Sequence, residues 1–246
     1  MLDQFDLKGK RVLISGATSG IGEGISRSFI NCGAHVLGLG RNLSKIERLS
    51  EELGERFTGI QIDLSNLETI EELLQNQNIT SIDGFVHCAG IIYRRPIKLI
   101  TVETFTNLMN VNVLSGALIA KSLYKHKRFN QGASLVYMSS VASTYSAIGN
   151  TMYMTSKGAV NSMVRGLALE MAKHKLRVNS IEPGLIKTQL TEGISEVELE
   201  SVLPNYPLGR FGEITDVINL AHFLISDASN WITGQSIRID GGLTLK

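Results

Sequence analysis

Tyr153 and Lys157 stand four residues apart in Tyr153-Met154-Thr155-Ser156-Lys157, and Ser140 lies thirteen residues before the tyrosine. On a helix, residues four apart share one face and lie about 6 Å apart along the axis, so the Lys157 ammonium can stand beside the Tyr153 phenol. A free phenol titrates near pH 10, and a fixed cation nearby favours its ionised form. Bringing it close to neutrality takes roughly 3 pH units, or about 4 kcal/mol of differential stabilisation. A lysine and a second cation can share that load. The pair would then donate a proton, with the Ser140 hydroxyl orienting the group that receives it. Taken singly, each residue has an ordinary reading as well: an exposed helix pair and a loop hydroxyl. Near the N-terminus, Ser15-Gly16-Ala17-Thr18-Ser19-Gly20-Ile21-Gly22 spaces its glycines as Gly16-x-x-x-Gly20-x-Gly22. Glycines alone also make plain turns. Between a strand and a helix opening near Ile21, however, this turn offers backbone N–H groups and a helix N-terminus to a pyrophosphate.

The elements that must position these groups follow from periodicity. Residues Arg11 to Ser15, His35 to Leu39, Phe57 to Ile62, Ile82 to His87, Ser134 to Met138, Arg177 to Ile181 and Ser236 to Ile239 read as strands, separated by intervals mostly long enough for helices. That alternation predicts an α/β fold, a Rossmann-type doubly wound parallel sheet of about seven strands with helices on both faces. In such sheets ligands sit beyond the carboxyl ends of the strands. Ser139 and Ser140 follow one strand, Cys88-Ala89-Gly90 ends another, and Pro183-Gly184 follows a third.

Composition narrows the class. With 246 residues and 43% apolar content the chain can bury a full core, and no Pro-rich, Gly/Ser-rich or like-charge linker divides it, so one domain over 1–246 is expected. Lys plus Arg number 24 against 23 Asp plus Glu, which leaves no global field to recruit nucleic acid or an anionic membrane. Cys32 and Cys88 have no metal-type spacing, so no metal is expected, and their sparseness argues for a reduced, cytoplasmic setting. The polar N-terminus reads as no signal peptide. The longest uncharged run, Phe129 to Ser156, is too rich in Ser, Thr, Gly and Asn to span a bilayer cheaply.

These separated motifs resemble the short-chain dehydrogenase/reductase family over nearly the whole chain. The family's Thr-Gly-x-x-x-Gly-Ile-Gly turn stands here with Ser15 for Thr, its Tyr-x-x-x-Lys is Tyr153 and Lys157, its serine is Ser140, and its asparagine is Asn112 in Val111-Asn112-Val113. Its Asn-x-x-x-Pro-Gly-x-x-x-Thr stretch is Asn179, Pro183, Gly184 and Thr188. The usual Asn-Asn-Ala-Gly is reduced to His87-Cys88-Ala89-Gly90. The resemblance implies a cofactor-binding half at about 8–110, a catalytic and substrate-binding half at about 111–246, and a lid at about 187–210, the segment Gln189 to Tyr206 forming most of it. It further implies that Tyr153 protonates a ketone oxygen, Ser140 orients the carbonyl, Lys157 tunes Tyr153 and holds a nicotinamide ribose, and Asn112 carries a water that relays protons. Cofactor contacts would come from Gly16, Thr18, Ser19, Gly20, Ile21, Gly22, Arg41, Asp63, Leu64, Ala89, Gly90, Pro183, Gly184, Ile186 and Thr188.

At the end of the second strand stand Gly40 and Arg41, with no carboxylate to repel a 2′-phosphate and a guanidinium to grip it, so NADP is preferred and NAD remains possible. A solvated Arg41 at the start of the next helix is the other reading. Asp63 would accept from adenine or cap a turn with Ser65 and Asn66. The implied activity is ketone reduction, a 3-oxoacyl thioester first, with a sugar or polyol as the alternative and an NADP-sensing regulator as a reading of another class. Arg94 and Arg95 could bind a carboxylate or phosphate, or be solvated. Lys125, Lys127, Arg128, Lys173 and Lys175 resemble the surface that 3-oxoacyl-acyl-carrier-protein reductases offer an acyl carrier protein, and equally suit helix C-termini. Tyr145 is expected in the pocket and Tyr137 in the core. The helices around Asn112 to Phe129 and Thr151 to Lys173 are apolar on more than one face, and because such helices pack between subunits in the family, the resemblance implies a homotetramer.

Overall fold

The computed structural model describes residues 3–76, 79–188 and 195–245, with the side chains of residues 73, 76, 196 and 198 set aside. Seven strands, β1 (Arg11–Ser15), β2 (His35–Gly40), β3 (Phe57–Gln61), β4 (Ile82–His87), β5 (Phe129–Met138), β6 (Arg177–Pro183) and β7 (Ser236–Ile239), form one parallel sheet in the order β3-β2-β1-β4-β5-β6-β7. The helices are α1 (Gly20–Asn31), α2 (Leu43–Leu53), α3 (Glu68–Asn76), α4 (Val102–Met109), α5 (Ser115–Lys125), α6 (Thr151–Met171), α7 (Glu196–Val202) and α8 (Ile214–Ile225).

The period-two alternation of strand side chains splits the core into two layers. Leu13, Leu37, Phe85, Leu135 and Val178 point to the face covered by α3, α5 and α6, where Ile70, Ile119 and Val164 meet them. Their neighbours Val12, Val36, Val86, Val136 and Ile181 point the other way, to Phe29 of α1 and Leu224 of α8. Both faces are therefore dry, as a parallel sheet requires. The strand order reverses between β1 and β4, which pair directly, Ser15 opposite His87. A crevice opens there at the carboxyl ends.

The strands lie where periodicity puts them, with one substantial exception. The helix expected to reach Phe129 ends at Lys125, and β5 begins at Phe129, five residues before the expected Ser134. Residues Asn130 to Gly132 are exposed and polar, so the apolar signal of a strand is missing there. Pairing to β4 recruits them all the same, across a register shift between Ile82 and Gly84. Lys127 turns the chain with φ of 54°. Between α4 and α5, Asn110–Leu114 form a π-helical segment, which no sequence pattern announced.

Candidate active site

Each side chain singled out from spacing rides on an element end at the crevice. β1 delivers the glycine turn. Gly16 and Gly20 sit at φ of 67° and 52°, where side chains are strained. Gly22 lies in the first turn of α1, and a Cβ there would lie 2.2 Å from the Gly16 carbonyl oxygen. Thr188 closes over the same turn, its Cβ 3.7 Å from where a Cβ of Gly20 would stand.

The departures from the family's pattern at Ser15 and His87 answer each other. Ser15 Oγ meets His87 Nδ1 at 2.7 Å and accepts the Ala89 N–H at 3.3 Å. The pair thereby ties β1 to β4 beneath the glycine turn. Burial, and then the Lys157 charge, push the imidazole down to about 3, so it is neutral. The ring fills the space that Gly116 leaves open, where a Cβ would come within 2.8 Å of it. Beside it, burial pushes the Cys88 thiol up to about 12 and keeps it protonated. The sequence offers no signal for the Ser15–His87 bond, because the pairing spans 72 residues.

β5 ends at Met138. Ser139 turns inward and donates to the Lys157 carbonyl at 3.1 Å. Ser140 remains in the cleft, its Oγ accepting the Ala142 N–H at 3.1 Å to cap a short turn. Helix α6 carries Tyr153 and Lys157 on one face. Lys157 is buried, donates from Nζ to the Met138 carbonyl at 2.8 Å, and stands 5.6 Å from the centre of the Tyr153 ring. Burial pulls the ammonium down to about 8. The expected tuning of Tyr153 takes a different form. Burial raises the phenol above its ordinary range, and the opposing influences are a hydrogen bond with Ser140 and the charge of Arg94.

Asn112 is buried in the π segment. Its Nδ2 donates to the Ile91 carbonyl and to Ser156 Oγ, both at 3.0 Å, and its Oδ1 accepts the Ile91 N–H at 2.8 Å. The side-chain amide is thus fully engaged in clamping the loop after β4. Behind the Ser140 turn, the buried Glu182 accepts from Ser143, Asn161 and Arg238, joining α6, β6 and β7.

At the far end, Arg41 and Asp63 line the same cleft, which has a volume of about 1340 Å³. Asp63 Oδ1 takes the Ser65 N–H and hydroxyl at 2.9 and 2.8 Å, and these bonds lower its pKa. It caps its turn, as one of its two readings proposed. Thr18, Ser19, Ile21, Leu64, Ala89, Gly90, Pro183, Gly184 and Ile186 line the cleft as well. Tyr145 lies in the lining, whereas Tyr137 is buried and donates to the Gly116 carbonyl. Of the expected lid, residues 189–194 lie outside the described residues; Leu199 and Val202 of α7 line the cleft. Lys125 pairs with Glu71 at 2.7 Å, fastening α5 to α3. Among the described residues no helix is long and apolar enough to cross a membrane, and no cluster of His, Cys, Asp and Glu could hold a metal ion.

A family model described as enoyl-(acyl carrier protein) reductase matches residues 16–244. A short-chain type dehydrogenase/reductase from Mycobacterium ulcerans superposes with a TM-score of 0.89 at 31% identity, covering 97% of this chain and 91% of that one. The chain belongs to the short-chain dehydrogenase/reductase family. It is therefore an oxidoreductase of CH–OH and C=O groups. Two further relatives differ in substrate. A 2-dehydro-3-deoxy-D-gluconate 5-dehydrogenase of Bacillus subtilis is 33% identical over 98% of this chain and 96% of its own. A 3-oxoacyl-[acyl-carrier-protein] reductase of Thermotoga maritima is 33% identical over 97% and 99%. The solved structure of a gluconate 5-dehydrogenase from Burkholderia cenocepacia, in complex with NADP and tartrate, reaches a TM-score of 0.92 at 27% identity, covering 100% of this chain and 99% of that one.

Proposed function

We propose that this short-chain dehydrogenase/reductase reduces a ketone to a secondary alcohol with NADPH, Tyr153 donating the proton. The observation that carries the reading is the convergence of Ser140, Tyr153 and Lys157 in one cleft with the glycine turn and Arg41. The residues fit the cofactor. Gly16 and Gly20, both at positive φ, shape the turn at the N-terminus of α1, where backbone N–H groups would meet a pyrophosphate. Gly90 leaves a gap in which a Cβ would stand 3.5 Å from Asn112 Oδ1 and 3.6 Å from Lys157 Nζ. Arg41 and Lys45 supply cations for a 2′-phosphate. Bound NADPH supplies the hydride.

The chain's own groups do the rest. Ser140 and Tyr153 donate to the ketone oxygen and stabilise the charge developing there. The raised phenol holds its proton at neutral pH and so has one to give. With one donor on Met138, the Lys157 ammonium keeps two for ribose hydroxyls. Because the Asn112 amide is engaged, a relay water would hang from a carbonyl freed by the π turn. Ile186 and Thr188 would meet the carboxamide, and Asp63 keeps Oδ2 for adenine.

The relatives' names divide between 3-oxoacyl thioesters and sugar acids, and a ketone is common to both. The carrier-protein reductases support a thioester delivered by an acyl carrier protein; against that docking surface, Lys125 is tied to Glu71. The reading is tested by following NADPH consumption, with NADH in parallel, against ketones of both kinds. NADPH-preferring turnover supports it. Binding of NADPH without turnover of any ketone would favour an NADP-sensing protein.

A further inference from the structure

The loop after β4 carries Arg94, a cation for which the ketoreductase reading names no ligand. Its backbone is held at both ends, by the two hydrogen bonds between the Asn112 amide and Ile91 and by the Arg95 N–H on the Gly149 carbonyl at 2.8 Å. Arg94, between these anchors, lines the cleft and is exposed there. Among the described residues no carboxylate pairs with it. Asp63, the acidic residue among the described lining, lies at the other end of the cleft and is bonded to Ser65. An unpaired guanidinium on a fixed loop, with no carboxylate beside it among the described residues, is built to meet an anion from outside. Its field reaches the reacting centre, since Arg94 lowers the Tyr153 phenol against the effect of burial.

A second observation lies beside the Gly149 anchor of the same loop. Asn150, just ahead of α6, is nine-tenths buried and lines the cleft, yet its Oδ1 has no hydrogen-bond partner. A buried polar atom left in this state is destabilising until something bonds to it. A hydroxyl on a bound molecule would satisfy it.

We infer that the substrate is a small hydroxylated ketone bearing a carboxylate, which Arg94 binds at the cleft while Asn150 takes a hydroxyl. The inference rests on the ketoreductase reading and adds the substrate class to it. Arg94 is then a specificity-determining residue: it holds the carboxylate while Ser140 and Tyr153 engage the ketone. A neutral acyl thioester would leave it unmatched.

The experiment compares 5-keto-D-gluconate with L-sorbose, which carries a hydroxymethyl group in place of the carboxylate, and with the neutral N-acetylcysteamine thioester of 3-oxobutanoate. Each is reduced with NADPH by the wild type, R94Q and R94K, with circular dichroism confirming the fold of the variants. The wild type should prefer the keto acid. R94Q should lower the acid-to-sorbose ratio of kcat/KM by roughly 10- to 100-fold, as expected for one charged hydrogen-bonding partner. The loss should fall mainly on KM, and R94K should recover part of it. A ratio unchanged in R94Q, or a wild type that reduces sorbose or the thioester at least as well as the acid, overturns the inference and leaves the ketoreductase standing. A protein that reduces none of the three overturns the ketoreductase reading itself.

Discussion

At Tyr153 the protein holds a phenol between burial, which keeps its proton on, and Ser140 and Arg94, which draw it off. Lys157 is perturbed in the opposite sense, its ammonium brought down to about 8. Below that value the lysine is charged and the tyrosine protonated, the state that can grip a ribose and give a proton. As pH rises through about 8, Lys157 loses its charge. We therefore expect kcat/KM for ketone reduction to be level below about pH 7 and to fall as pH passes 8; a pH profile that rises across this range would count against the assignment. The spacing of Tyr153 and Lys157 was legible because it depends only on helix geometry, while the family's spacing to the tyrosine selects Ser140 over its neighbour Ser139 at the strand end. What acts on the phenol was not. Arg94 lies 59 positions away in the numbering, and burial exists only once the chain has folded.

Among the elements, the strand-turn-helix at β1 and α1 is the one whose sequence and geometry agree most closely. Gly22→Ala sets two effects against each other. Alanine favours a helix by about 1 kcal/mol over glycine, but the new Cβ would lie 2.2 Å from the Gly16 carbonyl. The overlap involves backbone, which cannot rotate away, and it should win. The variant should melt at a lower temperature and bind NADPH at least about tenfold more weakly, readable by thermal denaturation and by fluorescence titration; wild-type affinity would show that the turn does not need its close approach. Other elements were less legible. The first half of β5 is polar, so only its partner β4 identifies it as strand. The π segment at Asn110–Leu114 carries Asn112, which bonds to Ile91 and Ser156, contacts distant in sequence that no local pattern announces. Ser15 and His87, each a departure from the family's pattern when read alone, make one hydrogen-bonded pair across β1 and β4.

For the whole molecule, the reversal of strand order between β1 and β4 brings together residues from Gly16 to Thr188. The seven-strand order follows from the βαβ alternation, because right-handed crossovers allow few other windings. Quaternary structure belongs to this scale. Val102 on α4 and Leu169 on α6 are more than four-fifths exposed, and Leu114 ends the π segment half-exposed. Apolar groups so exposed on α4, α6 and the π segment between α4 and α5 favour burial between copies, and light scattering after size exclusion should give four times the 26.9 kDa chain mass. A clean monomer would contradict the expected homotetramer. The central claim, that Tyr153 completes a ketone reduction in this cleft, is tested most directly by comparing wild type and Tyr153→Phe for NADPH binding and for ketone-dependent NADPH consumption. The phenylalanine variant should bind NADPH as the wild type does while kcat falls by about 100- to 10,000-fold, the range for removing a general acid; turnover that survives the substitution would show that the proton comes from elsewhere.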